Sequence, residues 1–339
     1  MKEASFYSVR DDGKVICHLC PDNCVIADGK RGACKVRKNI HGKLIAENYG
    51  LVSAAHVDPI EKKPLYHYFP GRPILSLGTA GCNLHCIFCQ NWEISQSAVD
   101  ELPLRRLSPE EAVQTALKVT DNIGIAYTYN EPVIWYEYVK DTALLAHREG
   151  LKNVMVTNGY VHPEPLQELL PLIDAFSVDL KGFNDSFYKK YTRSKLQPVL
   201  EALKIIRASG RHLEITNLVI PALNDDEEEF ERMTDWIAGE LGRETILHIS
   251  RYFPAWKLHN EPTPLSTLKR FFEIASGKLD YVFLGNISPY GEGQDTVCPQ
   301  CGSTVIERSG YSTHITGLDQ EGRCTGCGKK IIGTTIDDR

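Results

Sequence analysis

No stretch of this chain approaches the roughly 18 consecutive apolar residues that a membrane-spanning helix needs. Residues 1–12 carry both charge signs and no apolar signal core, so the cytoplasm is the expected compartment. Basic charge is not in excess: 38 Lys and Arg against 44 Asp and Glu leave a formal net charge of -6. The chain as a whole thus has no electrostatic case for binding nucleic acid. Internal repeats, low-complexity tracts and flexible linkers are also missing. With 42% hydrophobic and 24% charged residues over 339 positions, disorder and collagen are excluded. The length suits two domains, or one large α/β domain with small appendages.

What the chain does have is eleven cysteines, an odd number in a sequence with no export signal. A reducing compartment argues against structural disulfides and turns attention to metal or redox chemistry. The cysteines fall into three groups: Cys17, Cys20, Cys24 and Cys34; Cys82, Cys86 and Cys89; and Cys298, Cys301, Cys324 and Cys327. Four thiolates close a tetrahedral site, whereas three leave a bound metal short of one protein ligand.

The C-terminal set forms two knuckles, Cys298-Pro-Gln-Cys301-Gly and Cys324-Thr-Gly-Cys327-Gly, in which a glycine allows the tight turn around a bound metal. This is a zinc-ribbon pattern. It reads first as a staple for a segment too short to build its own core, and second as a nucleic-acid or partner-binding module. The N-terminal set has looser spacing, with Gly29 and Gly32 nearby. A structural zinc is the first reading and an auxiliary iron-sulfur cluster its rival, because four thiolates bind either. His18 reads as a bystander.

The central triad lies in Gly81-Cys-Asn-Leu-His-Cys-Ile-Phe-Cys-Gln-Asn91, just after the apolar run Ile74 to Leu77, which reads as a buried strand. Three cysteines on a cubane cluster keep one iron open for an exogenous ligand, as inner-sphere chemistry requires.

From Ser108 onward helical and strand patterns alternate. Ser108-Pro109-Glu110-Glu111 combines a capping serine, a first-turn proline and a reciprocal glutamate, and predicts a helix to about Val119. Strands are predicted at residues 123–127, 154–157, 175–178, 213–219, 246–249 and 281–284. Leu196, Val199, Leu200, Leu203 and Ile206 mark a helix closed by Gly210. Repeated βα units imply a parallel sheet, here about seven strands in a partial barrel that binds ligands at strand C-termini. The acidic run from Asn224 to Glu231 reads as a capped helix start. Tyr127, Tyr129, Trp135, Tyr160, Tyr252 and Trp256 read as packing residues, and His56, His67 and His85 receive no role.

The Cys82/Cys86/Cys89 triad, with Phe88 before the last cysteine and βα repeats after it, resembles the radical S-adenosylmethionine (SAM) enzymes over about residues 74–290. The order of motifs resembles the glycyl-radical-enzyme activases, relatives of the pyruvate formate-lyase activating enzyme. The flanking cysteine sets resemble the AmmeMemoRadiSam-system radical SAM enzyme over nearly the whole chain. The phrases that carry this are Asp58-Pro-Ile-Glu-Lys-Lys-Pro-Leu-Tyr-His67, the triad loop, Tyr127-Thr-Tyr-Asn-Glu-Pro132 and Leu284-Gly-Asn-Ile287.

The resemblance implies an α/β fold: a partial (β/α)6-7 radical SAM barrel over residues 71–290. An N-terminal four-cysteine metal-binding segment occupies residues 1–70 and a C-terminal zinc-ribbon-like segment residues 291–339. Implied cofactors are a [4Fe-4S] cluster on Cys82, Cys86 and Cys89, and SAM; the two four-cysteine sets add two zincs, with an iron-sulfur cluster as the alternative at the N-terminal set. SAM chelates the open iron and is cleaved reductively to a 5'-deoxyadenosyl radical that abstracts hydrogen from substrate. Glu131, after Asn130, is the expected partner of the SAM amino group, although the glycines usual before that motif are absent here. Asn91 matches a ribose contact, Asp179 and Lys181 a SAM-proximal pair, and Leu218 and Ile220 an adenine pocket.

Activases commonly carry an arginine where this chain has Thr216, so the SAM carboxylate partner is sought at Arg251, or else at Lys181. The usual ferredoxin-like insertion is missing, since residues 90–297 contain no cysteine. Expected partners are an electron donor such as flavodoxin or ferredoxin, and AmmeMemoRadiSam-system proteins. Two other functions compete: a glycyl-radical-enzyme activase, and a zinc-rich nucleic-acid or protein-binding module that the acidic charge disfavours. The N-terminal segment is further expected to cover one end of the barrel and exclude water.

Overall fold

The computed structural model describes residues 2–287 and 292–333. Residues 291 and 334–339 of the expected C-terminal segment lie outside the described residues. Eight strands form the central sheet: β1 (Ala54–Pro59), β2 (Pro73–Gly78), β3 (Gly124–Tyr127), β4 (Lys152–Thr157), β5 (Ala175–Asp179), β6 (His212–Val219), β7 (Ile246–Arg251) and β8 (Val282–Gly285). They lie side by side in chain order, with β2 to β8 parallel. Each crossover thus moves one place in one direction, the connectivity of a partial barrel. β1 pairs antiparallel with β2, an edge strand contributed from before residue 70 that the βα pattern did not predict.

Helices α1 (Pro109–Leu117), α2 (Tyr136–Arg148), α3 (Pro163–Leu169), α4 (Leu196–Ala208), α5 (Glu227–Trp236) and α6 (Leu265–Ser276) fill the crossovers. α1 starts as its sequence dictates: Ser108 Oγ accepts from the Glu111 N–H, and the Glu111 carboxylate accepts from the Ser108 N–H. The acidic run opens α5, with Asp226 accepting from the Glu229 N–H.

Alternation along the strands separates two environments. Leu75, Leu77, Ile125, Tyr127, Phe176 and Val178 join the large core shared with the helices. Ile74, Ala126, Val154 and Ala175 pack instead on Ile60, Leu65 and Tyr68. Segment 60–69 thereby plugs the lower end of the barrel. The backbone N–H groups of Tyr66 and His67 donate to the buried Glu214 carboxylate, which also contacts His212 and His248.

The C-terminal segment is a three-stranded antiparallel ribbon of Thr296–Val297, Thr304–Ser309 and Ser312–Ile315. It packs Val305, Ile306, Ile331 and Ile332 on Tyr66, Ile246, Tyr281 and Phe283, at the end of the barrel away from the Cys82 loop. Arg308 donates to the Tyr66 carbonyl at 2.7 Å and covers its ring. The N-terminal segment makes two small antiparallel sheets and packs beside α2, where Nη2 of the buried Arg37 donates to both carboxylate oxygens of Glu137 at 2.7 and 2.8 Å.

Candidate active site

The strand register sets the site. Asp179 pairs with Thr216, Leu218 with Ser250, and Ser250 with Gly285, which aligns the C-terminal ends of β5 to β8 along one rim. A cleft of about 310 Å³ opens there. Of the predicted residues, Cys82, Cys86, Phe88, Cys89, Asn91, Asn130, Asp179, Lys181, Thr216 and Leu218 line it. Thr216 and Leu218 face the barrel interior with Glu214, two residues apart along β6.

Three predicted residues are not among the lining. Glu131 is fully buried and its carboxylate is engaged by the protein itself: Val133 N–H at 2.9 Å, Thr157 Oγ1 at 2.7 Å and Asn158 N–H at 2.7 Å. It caps the turn Pro132–Trp135. Burial pushes its pKa up to about 7 against the pull of these donors. Arg251 follows Ser250 on β7, so alternation turns it to the opposite face. Its Nε donates to the Thr263 carbonyl at 2.8 Å and its guanidinium lies over Phe253. Ile220 is wholly buried just past β6, where its N–H is held by Asn224.

Other lining residues have no role assigned from the sequence: Pro64 and Asn286 lie within motif phrases, whereas Ser95, Asn158 and Ser250 carry no motif signal. Asn158 directly follows β4 as Asp179 closes β5. Its place just past a strand's C-terminal end is the signal that marks it, because ligand groups in α/β folds gather there. Asn158 Nδ2 donates to Asn83 Oδ1 at 2.9 Å and lies 3.8 Å from Cys82 Sγ.

Burial pushes the Cys86 thiol up to about 12, with Lys181 opposing, and raises Cys82 well above its ordinary range. Thiolates at these positions need a cation in the cleft. Lys181 lies 2.9 Å from Asp179; burial works against its charge, but Asp179 and Cys86 outweigh this and hold the ammonium above its usual range. The Tyr188 hydroxyl accepts from the Lys181 N–H. Thr216 Oγ1 is buried without a hydrogen-bond partner. Three thiols, that of Cys86 buried and those of Cys82 and Cys89 half-buried, with an orphaned hydroxyl and a lysine around one cleft, fit a thiolate-held cluster with a polar, carboxylate-bearing ligand.

At the C-terminus, Cys298, Cys301, Cys324 and Cys327 bring their sulfurs within 4.8 Å of one another, a group that fits a metal-binding segment. Gly302 and Gly328, each after a knuckle cysteine, take φ values of +74° and +76°, as the tight turns require. Among the described residues no helix is long and apolar enough to cross a membrane.

Comparison with known proteins points in one direction. The Radical SAM superfamily profile matches residues 76–237. An uncharacterized protein of Methanocaldococcus jannaschii is 46% identical over 335 residues, covering 98% of this chain and 99% of its own. The pyruvate formate-lyase 1-activating enzyme of Escherichia coli is 24% identical over 161 residues, which span 46% of this chain and 65% of that enzyme. The crystal structure of a radical SAM methyltransferase from Sphaerobacter thermophilus shares the fold, with a TM-score of 0.50 at 17% identity over 64% of this chain and 67% of its own. With its three-cysteine loop on the rim of a partial barrel, this chain belongs to the radical SAM superfamily and is related to the activating enzymes of glycyl-radical proteins.

Proposed function

We propose that this chain cleaves SAM reductively at a [4Fe-4S] cluster held by Cys82, Cys86 and Cys89, and acts within an AmmeMemoRadiSam system. The observation that carries the reading is the convergence of these three thiols on a cleft that also holds Asp179, Lys181 and Thr216. When bound, the cluster and SAM supply a 5'-deoxyadenosyl radical that abstracts hydrogen from substrate.

The chain's own part is to bind and orient. Lys181 is the cation among the described lining residues, so it takes the place sought at Arg251 as partner of the SAM carboxylate. The Thr216 hydroxyl offers an unpaired polar atom beside it. Leu84, Phe88 and Leu218 supply apolar wall for the nucleoside. Asn91 is steadied by donating to the Tyr129 carbonyl at 2.6 Å, which supports its role at the ribose. Glu131 holds the floor of the site by accepting from the Asn158 N–H. The ribbon cysteines lie 3.5 and 3.6 Å apart in pairs, near the roughly 3.8 Å edge of a zinc tetrahedron, which supports zinc there.

The test is anaerobic assay of reduced protein with SAM. The expected product is 5'-deoxyadenosine, formed with a flavodoxin, a ferredoxin or a chemical reductant as electron donor and lost in the Cys82→Ala/Cys86→Ala/Cys89→Ala variant. Product formation by that variant overturns the reading. Similarity to the Escherichia coli enzyme favours activase chemistry as a second reading, and a glycyl radical signal on a partner protein distinguishes it. Purified protein without iron would instead support a zinc-binding module.

A further inference from the structure

We propose that Cys17, Cys20, Cys24 and Cys34 hold a second iron-sulfur cubane and not a structural zinc. That it sits beside the first cluster rests on the function proposed above; that it exists does not. The four cysteines line one small cavity of their own, walled by Leu19, Ile26 and Ile134. Cys17, Cys20 and Cys34 are buried and Cys24 is half-buried.

Spacing separates the two metals. Zinc with Zn–S bonds near 2.3 Å draws four sulfurs to about 3.8 Å from one another. A cubane sets them roughly 6 Å apart, because each sulfur sits outside a different iron. The chain contains its own reference: the C-terminal cysteines close to 3.5 and 3.6 Å in pairs. Among the described residues that ribbon group is the one whose ligand atoms all fall within 4.8 Å, and the N-terminal four do not draw in so far.

The surroundings carry a second, independent sign. Arg37 lines the cavity, is 1% exposed, and leaves its Nε without a partner although Glu137 and the Ser5 carbonyl occupy its other nitrogens. A buried cation with a spare donor beside four thiolates suits an anionic cluster whose sulfurs accept N–H bonds. The Ala33 N–H already points to Cys24 Sγ at 3.5 Å.

Position gives the site its use. Asn83, next to Cys82, lines the N-terminal cavity, and the Cys34 carbonyl packs against Gly81. The two cysteine sites share a wall one residue thick. Four protein ligands leave no open iron, so this cluster is suited to hold an electron and not to bind substrate.

The experiment is iron, sulfide and zinc analysis with low-temperature electron paramagnetic resonance on full-length, anaerobically purified protein. About eight irons and one zinc per chain are expected, with about four irons kept in the Cys82→Ala/Cys86→Ala/Cys89→Ala variant as a signal that SAM does not shift. Two zincs and no iron in that variant, beside a SAM-responsive wild type with about four irons, overturn the proposal and leave the radical SAM reading standing. Wild-type iron that ignores SAM, with about four irons retained in the variant, supports this site and overturns the preceding reading. The reciprocal Cys20→Ala/Cys34→Ala variant guards against misfolding. Loss of about four irons with the SAM-responsive signal kept supports the proposal, and loss of zinc alone overturns it.

Discussion

Asn158 Nδ2 lies 3.8 Å from Cys82 Sγ and at the same time donates to Asn83 Oδ1 at 2.9 Å. The strand that ends at Thr157 is thus tied to the loop that carries the first cysteine. Asn158 Oδ1 also accepts from the Tyr160 N–H at 2.8 Å, which fixes the amide's orientation.

Replacing Asn158 by alanine removes a donor near a sulfur and strands two polar groups. Hydrogen bonds to cluster sulfurs raise a reduction potential, so the potential of the Cys82/Cys86/Cys89 cluster is expected to fall by tens of millivolts. Folding stability is expected to drop by about 1–3 kcal/mol. Redox titration followed by electron paramagnetic resonance, together with thermal melting, checks both; an unchanged potential contradicts the contact's proposed role.

Gly81 occupies φ +86° and a Cβ there would run into the Cys34 carbonyl and Val36. Both backbone strain and collision oppose any side chain. Gly81→Ala is expected to cost about 3 kcal/mol or more and to loosen the N-terminal segment first. Limited proteolysis that cuts the variant within residues 1–50 sooner than the wild type would bear this out.

Asp58 accepts from Lys62 at 2.8 Å, Lys63 at 2.7 Å and Tyr129 at 2.6 Å. Burial raises its pKa, but these three donors win and hold the carboxyl well below its ordinary range. A depressed folded pKa means stability that is present above about pH 4 and lost as acid protonates the carboxylate. Asp58→Asn leaves the buried Lys63 without its counter-charge and is expected to destabilise by about 3 kcal/mol at pH 7. The gap between wild type and variant in denaturant melts should narrow from pH 7 to pH 3; a gap that stays constant contradicts the assignment.

Removing metal from the ribbon tests whether it is a staple. Cys324→Ser is expected to release Val305, Ile306 and Ile332 from Tyr66 and Phe283, and to lower the melting temperature by several degrees. SAM affinity should hold within about twofold, a ΔΔG below about 0.5 kcal/mol, because the ribbon covers the opposite end of the barrel. Isothermal titration with SAM distinguishes this from a direct role in the active site.

Much of this was legible in the chain itself. The three cysteine groups, the short apolar strands between helical patterns and the Ser108 capping box are local features, written within a few residues of one another. They suffice for a parallel α/β sheet with a three-thiolate loop after β2. Side-chain direction at the strand ends is a different matter, because a step of one residue reverses the face. Ser250 therefore reaches the cleft while Arg251 turns away, although the sequence offers the arginine as the better ligand.

Long-range partners were equally hidden. Glu131 reads as a ligand from its motif, and only the fold shows that Thr157 and Asn158, more than twenty residues on, donate to its carboxylate. Asn158 carries no motif and gains its meaning only from standing beside Cys82 and Asn83. The same holds for the two four-cysteine sets. The sequence by itself determined how many thiolates each site contains. Only the tertiary structure decided how far apart their sulfurs stand, because packing of distant elements, and not spacing along the chain, fixes the size of a metal cavity.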